Sequence, residues 1–190
     1  MLNGKAQYPA LGHLIILGLL TGARLDELAS LKSSDVSKHR DGYYVVSIKR
    51  SKTKAGVRTI TVAHPHAATV IKQRMQGQGA GDSLWPELSP GGYDEKLSWA
   101  ASKAFGRYRD ALKLPRAVDF HSLRRTLITL LENLEVDQVR IARYVGHTLP
   151  TLAFSLYSGG SSEKTSLEVA RTIRYAPAVE EAVHGLLNEG

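Results

Sequence analysis

The apolar run from Leu11 to Leu20 constrains the fold of this chain more than any other feature. Wound into a helix, it is apolar around nearly its whole circumference, so it needs other elements packed on every side. It is too short to cross a bilayer, and Gly12, His13 and Gly18 interrupt it. Nor does it read as a secretory signal, because Thr21-Gly22-Ala23-Arg24 leads straight into a charged helix without a cleavage site. We therefore expect a central buried helix in a soluble, cytoplasmic protein. A length of 190 residues fits one ordinary domain with a real core, and 43% hydrophobic with 23% charged residues is a globular composition. The chain has no cysteine, which excludes disulfides, thiolate zinc sites and cysteine nucleophiles together.

Around the central helix the pattern is mostly helical. Tyr8 to Leu20 reads as one helix with Pro9 in its first turn, Thr21-Gly22 breaks it, and Arg24 to Leu31 resumes with Leu25, Leu28 and Leu31 on one face. Tyr43 to Ile48 is aromatic and β-branched and reads as a strand entered through a turn at Asp41-Gly42. Its partner is Val57 to Val62, where Val57, Thr59 and Thr61 alternate with Arg58, Ile60 and Val62; Ser51 to Gly56 connects the two. Further helices are expected over His66–Gln76, Tyr93–Leu112, Phe120–Leu134 and Asp137–Val145, the last ending at Gly146 in a left-handed cap. A glycine-rich loop covers Gly77–Gly92, and an amphipathic tail follows Gly159-Gly160 on either side of Pro177. The fold class is mainly α with one small antiparallel β-sheet.

Charge is segregated along the chain. The net charge is +7 and the pI about 9.7, which favours a polyanionic partner. Lys32 to Arg74 holds Lys32, Lys38, Arg40, Lys49, Arg50, Lys52, Lys54, Arg58, Lys72 and Arg74 against only Asp35 and Asp41. After Tyr157 acids outnumber bases. A solvated basic face is the plainer reading of such a segment.

Four segments carry residues suited to chemistry. Arg24 opens a helix just after a glycine break, with Glu27 one turn on; there a guanidinium can clamp a phosphate, or simply form a surface ion pair. His121 and Arg124 are three apart, so on a helix they share a face and join a proton-transfer group to an anion holder, unless they are only part of a basic surface. His147 follows the Gly146 helix end, and Tyr157 is followed by Ser158-Gly159-Gly160, although a lone tyrosine is usually a packing residue.

In order and spacing, Arg24, a lysine-bearing β-turn, His121-x-x-Arg124, His147 and Tyr157 together resemble the tyrosine recombinase (phage integrase) family. The match runs from Thr21 to Tyr157, and Thr21–Leu28, His121–Thr126 and Tyr144–His147 look like the family's boxes in their flanking residues too. The resemblance implies that Arg24 and Arg124 hold the non-bridging oxygens of a scissile DNA phosphate and that Tyr157 attacks it to form a 3′-phosphotyrosyl bond. It implies that Lys52 protonates the leaving 5′ oxygen, with Lys49 and Lys54 close by as alternatives. His121 would assist proton transfer, His147 would hold or orient the phosphate, and Glu27 would support Arg24. Ser122 stands where the family often has an acid and suits a capping role, and the interval from His147 to Tyr157 is one residue longer than the common spacing. Tyr144 reads as packing, and Tyr175 is a nucleophile only if Tyr157 is dispensable.

Such chemistry is mainly positioning and charge stabilisation, which two arginines supply without metal. The sequence shows no compact carboxylate cluster and no phosphate-binding glycine loop ending in lysine, so no cofactor, metal or ATP is expected. The resemblance divides the chain into a catalytic domain over 1–160 and a helical tail over 161–190, without the family's N-terminal DNA-clamping domain. Double-stranded DNA is the implied partner, the protein would be nucleoid-associated, and the tail would dock on its own core or on a neighbour in a tetrameric synapse. The expected function is site-specific recombination for phage or mobile-element integration or excision. The alternatives are a DNA-binding module that cleaves nothing and a relaxing activity of the type IB topoisomerase kind.

Overall fold

A computed structural model describes residues 10–51, 54–148 and 163–187. Helix α1 (Ala10–Thr21) is buried at every position, as its all-round apolarity requires. Its neighbours are α2 (Leu25–Ala29), α3 (Pro65–Met75), α4 (Ser98–Ala111), α5 (Phe120–Asn133) and α8 (Pro177–Leu187). Gly18 lets α5 approach closely: a Cβ there would lie 2.7 Å from the Phe120 ring. No helix of the described residues is long and apolar enough to cross a membrane.

The sheet is antiparallel and three-stranded, in the order β1 (Val36–Lys38), β2 (Tyr44–Ile48) and β3 (Arg58–Val62). Val46 pairs with Val36 on one side and Ile60 on the other. Val46, Ile48, Ile60 and Val62 form its inner face against Leu17, Leu28, Leu31 and Ile71, which follows from the period of two in a strand. The outer face of β3 is covered by α7 (Glu163–Thr172), where the Thr61 amide donates to Ser166 Oγ at 3.0 Å. The expected hairpin is therefore present with one more strand. Strand β1 escaped sequence reading because it has only three residues, none of them buried, so no alternation marks it.

A second departure lies before α4. The expected helix from Tyr93 begins only at Ser98. Glu95 has φ 46°, and Gly91 and Lys96 exchange backbone hydrogen bonds at 3.2 and 3.0 Å. These form a closed turn in place of a first helical turn, with Tyr93 fully exposed on it.

Two helix ends matter for the site. Asp119 caps α5: its Oδ1 accepts from the Ser122 amide at 2.9 Å, while Ser122 Oγ accepts from the Asp119 amide at 3.1 Å. This is the capping role expected of Ser122. Helix α6 (Gln138–Val145) stops at Gly146, φ 77°, and the amides of Gly146 and His147 both donate to Ala142 O at 2.8 Å. The tail helices α7 and α8 lie on their own chain's core through Val169, Ile173 and Val183.

Candidate active site

Arg24 stands at the N-cap of α2, in the extended backbone just after the Gly22 break. Glu27, one turn on, accepts from the Arg24 amide at 3.0 Å and from Arg24 Nη1 at 2.7 Å. So the same carboxylate caps the helix and aims the guanidinium. Arg24 Nη1 also donates to Ser51 Oγ at 3.2 Å, and Nη2 to Gly146 O at 3.4 Å. These contacts run from α2 to the end of β2 and to the end of α6. The surface ion pair considered from sequence is thus a partly buried one: the Glu27 side chain is only 2% exposed.

Arg124 projects from the second turn of α5 into the core, 1% exposed. Its Nη1 donates to Gly22 O at 2.6 Å and, closer still, to Val145 O. Its Nε donates to His147 Nε2 at 3.3 Å. Because a guanidinium can only donate, His147 Nε2 is the accepting nitrogen and its ring proton sits on Nδ1. Arg124 Nη2 is buried with no partner among the described residues, a donor that those residues leave unsatisfied. Burial, then Arg24 and Arg58, push the Arg124 pKa down to about 9, which still leaves it cationic at neutral pH.

His147 lies just beyond α6, exposed to solvent. Partial burial, then Arg124, Arg24, His121 and Arg58, hold its pKa at about 4, so it is neutral at physiological pH. The pKa of His121, an exposed residue in the first turn of α5, is lowered by partial burial of the ring and then by Arg124. Arg24, Ser51, Arg50, Lys96 and His121 line one cleft of about 1060 Å³. Three acids in its wall are engaged: Asp26 accepts from Ser98 Oγ, Asp119 caps α5, and Glu27 holds two arginines.

The structure thus brings Arg24, Glu27, His121, Arg124 and His147 into one neighbourhood. Lys52 and Tyr157 lie outside the described residues. Of the other lysines near the turn, Lys49 is paired with Asp35 at 2.6 Å. Tyr144 is a packing residue, 1% exposed, its hydroxyl 3.4 Å from Leu20 O and Thr61 O. Tyr175 is unsuited to attack: its hydroxyl donates to Leu19 O at 3.1 Å, and burial, followed by Glu180, raises its pKa. Among the described residues no group of three or more His, Asp or Glu is arranged to hold a metal.

Two residues here were not singled out from sequence. Ser51 Oγ donates to Glu27 Oε1 at 2.7 Å; nothing in its sequence context marks it. Arg58 begins β3, with its side chain 5% exposed and Nη1 3.2 Å from Glu27 Oε2. Its signal was present, since the strand's alternation sets it on the same face as Ile60 and Val62, the face that is buried.

A sequence model of the phage integrase family matches residues 5–159. The fold is also that of a solved integrase from mycobacterium phage Brujita, at 17% identity and a TM-score of 0.58 over 96% of this chain. A Tn1549 transposon integrase in complex with transposon right end DNA is similar at 20% identity and a TM-score of 0.45 over 84% of the chain. The chain spans 57% of the length of each. A search of curated proteins gave no match.

Proposed function

Because the chain belongs to the phage integrase family, we propose that it is the catalytic domain of a site-specific tyrosine recombinase. It acts on double-stranded DNA, in the integration or excision of phage or other mobile DNA. The observation that carries this reading is the convergence of Arg124 and Arg24 on the end of α6, through His147 Nε2 at 3.3 Å and Gly146 O at 3.4 Å. Two guanidiniums so placed can take the non-bridging oxygens of one phosphodiester and stabilise the charge that grows on them during displacement.

In the proposed step the Tyr157 oxygen attacks phosphorus. The O–P bond to tyrosine forms as the bond to the 5′ oxygen breaks, which leaves a 3′-phosphotyrosine and a 5′-hydroxyl. A free phenol has a pKa near 10, and the cationic surroundings favour its ionised form. His121, held neutral, accepts the phenolic proton, while Lys52 gives a proton to the leaving 5′ oxygen. Neutral His147 donates from Nδ1 to the phosphate, while its Nε2 accepts from Arg124 Nε. The phosphotyrosine retains the energy of the broken bond, so a second 5′-hydroxyl can reverse the step without ATP. Association of protomers on DNA through α7 and α8 belongs to the same proposal.

A DNA duplex nicked just beyond the cleavage site tests this, because loss of the short 5′-hydroxyl fragment traps the covalent adduct. Wild-type protein should form the adduct, and Tyr157→Phe should form none while binding the same duplex within about threefold, a change of under 1 kcal/mol. Adduct formed by Tyr157→Phe would contradict the assignment. Binding without adduct in the wild type would favour a non-catalytic module, and relaxation of supercoiled DNA without joining of two duplexes would favour topoisomerase action.

A further inference from the structure

We propose that Arg58 is the positioning residue of this site, the single side chain that sets the lysine-bearing hairpin, the end of α6 and the Arg24–Glu27 pair relative to one another. The catalytic part of this proposal rests on the recombinase reading; the geometric part does not.

The argument begins with what Arg58 touches. Its Nε donates to Tyr144 O at 2.9 Å, three residues before His147 in sequence. Its Nη1 donates to Gly56 O at 2.8 Å, at the close of the hairpin loop, and to Glu27 Oε2 at 3.2 Å. The other carboxylate oxygen of Glu27 takes Arg24 Nη1 at 2.7 Å and Ser51 Oγ at 2.7 Å. One carboxylate is therefore shared between a buried guanidinium that does not line the cleft and a second that does. Three elements far apart in sequence are tied by the two donor nitrogens of one planar fork, a geometry that a lysine ammonium cannot copy.

The surroundings are shaped for this fork. Gly146 leaves room for it: a Cβ at that position would stand 2.7 Å from Arg58 Nη1 and 3.0 Å from Ala55 O. A Cβ at Gly56 would lie 3.1 Å from Arg24 Nη1 and closer still to Ser51 Oγ. Both glycines border the guanidiniums, so the close approach of the loop to the end of α6 is built around them. Among the described residues Arg58 holds Tyr144 O, Gly56 O and Glu27; its effect on the reaction passes through Arg24, His147 and the hairpin.

The test uses Arg58→Lys, which keeps the charge beside Glu27 but not the fork, and Arg58→Met, which keeps neither. The first readout is the NMR spectrum of the histidine rings in the DNA-free protein. In Arg58→Lys the His147 signals should move while those of His13 and His184 stay in place; unmoved His147 signals would overturn the proposal whatever the protein's activity. The second readout is adduct formation on the nicked duplex, separated into the rate constant and the fraction of protein that reacts. A misplacement of this kind costs on the order of 100-fold in rate, so Arg58→Met should react about 100-fold slower and Arg58→Lys in between, with the reacting fraction and DNA affinity kept. Wild-type rate constants with only a smaller reacting fraction would show a merely structural residue and refute the proposal. No adduct from the wild type, with His147 displaced in Arg58→Lys, would sink the recombinase reading and leave the positioning role standing.

Discussion

At the scale of the residue, the site is organised by one buried carboxylate among cations. Burial alone would raise the Glu27 pKa, but Arg58, the Arg24 amide, Ser51 and the Arg24 guanidinium outweigh it and hold the pKa below its ordinary value of 4.5. The sign of the linkage follows: the stability that Glu27 contributes is fully present above about pH 4.5 and is lost as pH falls through its lower folded value. Glu27→Gln leaves Arg58 buried without its counter-charge, so it should destabilise the protein by about 3 kcal/mol in urea unfolding at pH 7 and flatten the acid limb of the stability profile. An unchanged midpoint would contradict the shared-carboxylate account. His147 gives a second prediction. With its pKa held at about 4 in the free protein, it should titrate well below an ordinary histidine by NMR. Duplex DNA should shift that titration upward, because a phosphodiester beside the ring favours the protonated form. An ordinary titration in the free protein, or none of this rise with DNA, would place the ring away from the guanidiniums and the phosphate.

At the scale of the element, the helix ends do the positioning. Gly146 holds a left-handed cap at φ 77° and borders Arg58. Gly146→Ala should therefore cost about 1–3 kcal/mol from backbone strain and overpacking and should slow adduct formation more than its effect on melting suggests. A melting loss with an unaffected rate would separate the cap from the site. These ends were largely legible in the sequence, since Gly22 and Gly146 are local signals that mark a break and a cap. Strand β1 and the late start of α4 were not. The first is too short to show alternation, and the second is decided by the Gly91–Lys96 bridge, a pairing that helical periodicity does not encode. Arg24, His121, Arg124 and His147 were picked out by order and spacing, and the structure sets them in one neighbourhood. Arg58 was overlooked because an arginine in a strand reads as surface unless its neighbours on the same face are weighed.

At the scale of the whole molecule, the chain wraps a fully buried helix and leaves a net charge of +7. The basic segment is not one exposed face. Arg58 is buried beside Glu27, and the Arg74 side chain is 12% exposed, donating to His13 and Glu87. The remaining surface cations should still give DNA binding a strong electrostatic component. The association constant should thus fall steeply with salt, by a log–log slope of several, as each neutralised phosphate releases about 0.9 counterion. A slope near zero in a fluorescence-anisotropy titration would argue against a phosphate-tracking surface. The claim beneath all of this is that Arg24, Arg124 and their histidines act on the charge of one phosphate. A nicked duplex with a neutral methylphosphonate at the scissile position measures that directly. Arg24→Ala should be nearly inactive on the ordinary phosphodiester and should recover cleavage by at least about tenfold on the methylphosphonate, which no longer carries the charge that Arg24 neutralises. If the methylphosphonate gave Arg24→Ala no recovery, the convergence of these cations on a single phosphate would be contradicted.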